Sequence, residues 1–119
     1  MFITVQHMLQ NRETGNVEGY RNVAVVDASQ CDTVEDALEY AYRYTNNIEG
    51  SWSIKEEYLP MRDGRMIANG DYNENVAVLY VRPDGMGQRS TMMGDRMIVD
   101  GETYKVAVMG FTKVEMETA

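Results

Sequence analysis

The sequence has very little of the chemistry on which catalytic and metal centres usually depend. Its 119 residues include one histidine, His7, and one cysteine, Cys31. A structural zinc site takes four nitrogen or sulfur ligands, so this chain alone cannot supply one from these two residues. Cys31 also cannot form an internal disulfide, which favours a reducing compartment. We therefore expect no metal and no cofactor, and a binding protein is favoured over an enzyme.

Long apolar stretches are also absent. No run approaches the roughly 20 residues that a membrane-spanning helix needs. The first residues contain no basic segment followed by an apolar core, the pattern of a secretory signal. The sequence thus predicts a cytoplasmic protein with no membrane partner.

Negative charge is abundant but unevenly distributed along the chain. The net charge is −8, and residues 32–57 hold seven acidic side chains against two basic ones. Residues 82–113 hold five basic against four acidic side chains. Binding to a nucleic-acid backbone requires clustered cations, so direct nucleic-acid binding is not expected. Solubility is the simplest explanation for most of the acidity.

The amino-terminal third predicts two strands and one helix. Residues 2–9 alternate so that His7 shares a strand face with aliphatic side chains, where a hydrogen-bonded core histidine is favoured over a general base. Residues 20–28 form the partner strand across a polar loop. Asp32 and Glu35 have the spacing of a capping box, which predicts that a helix begins there. Its apolar side is expected to consist of Val34, Ala37, Leu38, Ala41 and Ile48.

The opposite face of this helix is a candidate contact surface. Glu35, Asp36 and Glu39 lie there, and three tyrosines at alternate positions cannot all enter the core. Tyrosine is favoured where an interface needs area together with a polar group. We therefore predict a protein-binding surface that consists of Glu35, Asp36, Glu39 and Tyr40.

The remaining two thirds predict an irregular insert followed by strands. Residues 50–75 are the insert, in which Trp52 and Ile54 indicate a short strand and residues 62–65 a hairpin turn. Residues 76–81 resemble a buried strand, and Asp100-Gly101 predicts a tight hairpin turn. The expected fold is a single α+β domain over residues 1–119. It has a small antiparallel or mixed sheet of about five strands with one main helix packed on a face.

Residues 87–95 predict a polar turn that has two interpretations. Arg89, Ser90 and Thr91 could receive an anion on a short helical turn with free N–H groups. In the structural alternative, Ser90 caps the turn, Gly94 leaves it with a left-handed conformation, and Asp95 ties it to a strand.

This segment also carries a resemblance to a known family. Residues 89–101 read Arg-Ser-Thr-Met-Met-Gly-Asp-Arg-Met-Ile-Val-Asp-Gly, and residues 104–106 and 110–111 read Tyr-Lys-Val and Gly-Phe. The pattern resembles the carboxy-terminal signature of the YodL-like domains, with Met92 where a serine is more usual. Those domains occur in proteins of plasmids, integrative elements and phages. The resemblance implies provenance and assigns no activity.

Two functional hypotheses follow from the sequence. The first is a non-enzymatic accessory protein of a phage or mobile element that acts by protein binding or self-association. The alternative is a phosphate- or nucleotide-binding domain that uses the turn at residues 87–95.

Overall fold

The computed structural model describes residues 1–115, which form one helix and eight strands. The elements are β1 (Phe2–Gln10), β2 (Val17–Asp27), α1 (Val34–Tyr44), β3 (Tyr58–Pro60), β4 (Met66–Ala68), β5 (Val76–Val78), β6 (Arg96–Val99), β7 (Glu102–Val106) and β8 (Phe111–Lys113). Six strands form one sheet in the order β5-β2-β1-β6-β7-β8, and β3 pairs with β4 separately. Every strand pair is antiparallel.

The fold agrees with the prediction in outline. One helix accompanies a mostly antiparallel sheet, but the molecule is mainly β, so α+β describes it only loosely. The main sheet has six strands rather than about five because a short strand, β8, follows the last predicted hairpin.

The β1–β2 hairpin forms the centre of the sheet and gives it one buried face. Ile3 lies opposite Val26, Val5 opposite Ala24, and a bulge follows Val5. His7 then lies opposite Arg21. Since directly opposed side chains of an antiparallel pair share a face, Arg21 continues the face on which the core is built.

Helix α1 packs its apolar side into this core but differs from the prediction at both ends. Its N-cap is Thr33 rather than Asp32, and the Thr33 hydroxyl accepts a hydrogen bond from the Asp36 amide at 3.1 Å. The helix stops at Tyr44, where the Thr45 hydroxyl donates back to the Ala41 carbonyl at 2.7 Å. The prediction that Ile48 extends the apolar side is therefore wrong, and this side chain is 63% exposed.

The insert at residues 50–75 contains the predicted hairpin and a buried tryptophan. The turn of the hairpin lies at residues 62–65. Pro60 belongs to β3, which within residues 1–115 pairs with β4 alone. The short strand predicted at Trp52 and Ile54 does not form, because Trp52 is completely buried in the core instead. Asn69 organises the segment, since the two protons of its side-chain amide are shared among the carbonyls of Ser51, Ile54 and Glu56, which lie 2.9 to 3.1 Å from the nitrogen.

In the second half of the chain, the prediction of a buried strand is wrong and the prediction of a hairpin turn is confirmed. The predicted buried strand at residues 76–81 is reduced to β5, which among residues 1–115 pairs with β2 alone and forms an edge of the sheet. Leu79 and Val81 are accordingly 51% and 75% exposed. The Asp100-Gly101 turn is confirmed, with φ angles of 51° and 78° that a tight hairpin turn requires.

Candidate functional site

The segment at residues 87–95 is fixed to the sheet by Arg89 and Asp95. The guanidinium holds both carboxylate oxygens, with Nη1 to Oδ2 at 2.7 Å and Nη2 to Oδ1 at 2.9 Å. Asp95 is fully buried and also accepts the backbone N–H groups of Met8 and Met92, each at 2.8 Å. This carboxylate therefore ties the turn to β1, as the structural interpretation of the sequence predicted.

His7 begins a chain of buried hydroxyl groups behind this turn. The Thr45 hydroxyl donates to the Ala41 carbonyl, so Thr45 accepts its 2.8 Å hydrogen bond from the Thr91 hydroxyl. Thr91 has then used its only proton, and His7 Nε2 must donate to Thr91 across 2.9 Å. Burial, opposed by the charge of Asp95 and reinforced by that of Arg89, lowers the pKa of His7 to about 4. His7 is thus a neutral hydrogen-bonded core residue near pH 7.

The insert packs against the other side of the same segment. The Trp52 indole donates to the carbonyl of Arg89 at 2.9 Å, and the Ser90 hydroxyl accepts the amide of Asn47 at 2.8 Å. The Asn47 side chain in turn donates to the carbonyl of Gln88 at 2.9 Å. Residues 88–90 are thereby held between the end of α1 and the insert.

These contacts differ from those expected of the predicted anion site. No helical turn forms at residues 87–95: the segment has no regular structure before a single turn, in which the Asp95 amide donates to the carbonyl of Met92. Thr91 is 1% exposed, and its hydroxyl is fully used within the core. Of Arg89, Ser90 and Thr91, only Arg89 borders a cleft.

That cleft is the candidate functional site. It has a volume of about 380 Å³ and lies on the helix side of the sheet, at the far end of the β1–β2 hairpin. Arginines from four parts of the chain border it, together with Tyr80 and Gln88: Arg12, Arg21, Arg82 and Arg89. Arg21 reaches it because the residue lies opposite His7 on the buried face of the hairpin.

The charge of the cleft is only partly balanced. No carboxylate borders it in the part of the chain that the structure describes. Arg89 is paired with Asp95, and Arg82 with Asp84, whose own pKa is lowered mainly by a hydrogen bond from the Met86 amide. Arg12 and Arg21 have no ion pair within residues 1–115, and the Arg21 guanidinium lies 3.9 Å from the centre of the Tyr80 ring. The cleft can therefore attract an anion, and the guanidinium groups of Arg12 and Arg21 are not engaged by a carboxylate within residues 1–115.

The helix residues predicted as a contact surface divide between two flanks of α1. Glu35 and Glu39 each border a cavity beside Phe111 of β8. Tyr40 lies on the other flank, where its hydroxyl accepts the side-chain amides of Asn73 and Asn75 at 2.8 and 3.1 Å. Asp36 is exposed, and its backbone amide completes the helix cap. The four residues thus do not form one surface.

The sequence offered no direct indication of Arg12, Arg21 and Arg82 as site residues. Arg21 faces inward only because the irregularity after Val5 shifts the alternation of β2 by one residue, so the sequence pattern does not reveal it. A charged residue at such a position requires either a partner or a cavity.

Comparison with protein-family models, with curated proteins and with solved structures gives no match to this chain. The resemblance to the YodL-like domains therefore stays a prediction. Within residues 1–115, no three histidine, cysteine, aspartate or glutamate side chains are placed to share a metal ion. The same residues include no helix whose length and apolar character would let it cross a membrane.

Proposed function

We propose that this protein binds a small anionic ligand with a phosphate group in the arginine-lined cleft. The observation that carries the proposal is the concentration of charge: four of the eleven basic side chains border one cleft, in a chain whose net charge is −8. This function corresponds to the alternative that the sequence indicated, but of its predicted ligand residues only Arg89 is retained.

Phosphate suits the arrangement of donors. Arginine presents a planar fork of N–H groups that matches phosphate oxygens bidentately. Asp95 fixes Arg89, but the Nη groups of Arg89 donate to Asp95 and to the carbonyls of Ser90 and Met8, so this residue contributes positive charge rather than a free fork. Arg12 and Arg21 add charge that no carboxylate balances within residues 1–115.

The size of the cleft favours a small ligand over a nucleic acid. Its volume of about 380 Å³ lies at the lower end of the range for small-molecule sites. A long polyanion would also meet the acidic surface of the rest of the molecule, which would repel it.

Thermal unfolding in the presence of inorganic phosphate, pyrophosphate and ATP tests the proposal. A ligand at 100 times its dissociation constant should raise the free energy of unfolding by about 2.7 kcal/mol. The double variant Arg12→Gln with Arg21→Gln should lose this response. Arg62→Gln, which removes an exposed charge in the β3–β4 turn, is the matched control and should keep it. No stabilisation of the parent by any of the three anions, or an equal response in the double variant, would refute the assignment.

A second candidate is the accessory role in a phage or mobile element through protein contact. Val108 and Met109 in the turn between β7 and β8 favour it, because they are 85% and 90% exposed beside the cavity that Glu39 borders. The resemblance to YodL-like domains supports the provenance. Sedimentation velocity of the parent and of Val108→Ser with Met109→Ser tests the self-association form of this role, which requires larger species in the parent alone.

A further inference from the structure

The outer edge of β8 and one flank of α1 enclose an unfilled part of the sheet. Two cavities of about 320 and 380 Å³ lie there, one on each side of Phe111. Val106 and Leu38 contribute apolar walls to them. The helix covers the centre of the sheet, and the face of β7 and β8 beyond it is therefore only half covered.

The backbone of β8 presents hydrogen-bonding groups to the outside. Ala107 pairs with Gly110 through a backbone hydrogen bond, and Val114 donates to Thr103. Hydrogen-bonded and non-hydrogen-bonded pairs alternate along an antiparallel ladder, so the N–H groups of Phe111 and Lys113 point away from β7. Within residues 1–115 β8 pairs only with β7, and these groups form a free sheet edge.

The charge beside this edge is negative. Glu39 borders one cavity and Glu35 the other, and no basic side chain borders either of them in the described chain. Both glutamates are exposed and form no ion pair within residues 1–115. Lys113 of β8 is paired with Glu102 at 3.4 Å.

We propose that an extended segment of a partner protein adds to β8 as a further strand, and that the side chains which it directs toward α1 include both apolar and basic ones. Its main chain pairs with the N–H and C=O groups of Phe111 and Lys113. Side chains of a strand alternate between the two faces of the sheet, so every second one would enter the space between β8 and α1. There the apolar ones fill the cavities and the lysine or arginine side chains pair with Glu35 and Glu39.

Charge complementarity favours a basic partner segment over a second copy of this chain. The protein carries a net charge of −8, so another copy matches the acidic flank poorly, whereas a basic segment complements it. The inference rests on the second candidate function and is independent of the arginine-lined cleft, because the two sites share no bordering residue.

Calorimetric titration with a short peptide tests the proposal; valine and lysine take turns at every second position of this peptide, and threonine occupies the positions between them. The parent should bind it, and the same peptide with glutamate in place of lysine should not bind. Lys113→Pro removes an outward N–H group and should abolish binding. Lys113→Ala removes the same side chain and the same ion pair but keeps the N–H group, so it should bind as the parent does. Loss of binding in both variants, or in neither, would overturn strand addition.

The glutamates are tested with charge-matched variants. Glu35→Gln with Glu39→Gln should weaken peptide binding by about tenfold, since two exposed ion pairs are lost. Glu56→Gln with Glu57→Gln changes the net charge equally at a distance and should leave binding unchanged. Equal weakening in both double variants would show a general charge effect and overturn the role of the flank. A concentration-dependent dimer that Lys113→Pro abolishes would make a second copy the occupant and overturn the partner assignment, while phosphate stabilisation would be unaffected.

Discussion

Arg89 and Asp95 form a bidentate ion pair in which the carboxylate is completely buried while the arginine side chain is 39% exposed. The exposed side of the guanidinium borders the cleft, and the buried carboxylate holds two backbone amides of β1 and the turn. Arg89 thus links the proposed ligand site to the core. Arg12 and Arg21 hold no carboxylate within residues 1–115, so their replacement leaves no buried charge unpaired.

Removal of Arg89 should destabilise the fold. Arg89→Ala leaves a buried carboxylate without its counter-charge, and we expect the free energy of unfolding to fall by about 3 kcal/mol. Arg65→Ala breaks an exposed ion pair with Asp63 and should cost less than about 1 kcal/mol. Urea unfolding followed by circular dichroism compares the two variants. Equal losses would mean that the burial of Asp95 does not determine the strength of this pair.

Gly50 should be intolerant of any side chain. A Cβ atom there would lie 2.1 Å from Asn69 Oδ1 and 3.2 Å from the Asn69 backbone, so Gly50→Ala must displace the residue that organises the insert. Asn69 would then lose several buried hydrogen bonds, each worth about 1 kcal/mol, and we expect a loss of at least about 2 kcal/mol. Gly19→Ala, where no heavy atom lies within 4 Å, should be neutral in the same unfolding experiment. A neutral Gly50→Ala would contradict the packing of the insert.

His7 should make the fold sensitive to mild acid. Its pKa is about 4 in the folded protein and 6.5 in the absence of burial, so the unfolded chain binds the proton more tightly. This contribution to stability is complete above about pH 6.5 and is lost as the pH falls towards about 4. Between pH 7 and pH 5 we expect a decrease of about 2 kcal/mol in the free energy of unfolding. His7→Gln should show a flatter pH dependence over this range, and an unchanged dependence would exclude His7 as its origin.

The sequence predicted the helix and those strands and turns whose residue patterns are confined to a short stretch of chain. Two patterns each involve residues that are close together in the chain: the alternation of residues 2–9 and the apolar spacing of Ala37, Leu38 and Ala41. The Asp100-Gly101 turn depends on two adjacent residues that tolerate positive φ angles. Such features are determined by neighbours along the chain, which is why the two hairpin turns and the presence of the helix were predicted, although both ends of the helix were not.

The cleft and the insert were not predictable because distant segments create them. Arg21 faces the cleft through its register with His7, and Arg82 and Arg89 approach from the chain after β5. Trp52 resembles a strand residue in sequence. In the structure it is buried, and its indole N–H donates to the carbonyl of Arg89. Neither relationship has a local signature, since each depends on how the sheet, the helix and the insert pack together.

The position of Trp52 gives the molecule an intrinsic fluorophore at an informative place. It is the only tryptophan, it lies with its ring centre 6.0 Å from that of His7, and its N–H group bonds to the carbonyl of Arg89 on the wall of the cleft. Its emission should therefore respond to protonation of the imidazole, to release of the turn at residues 87–95 and to occupancy of the arginines. A single unlabelled optical signal can thus follow three events that would otherwise need separate probes.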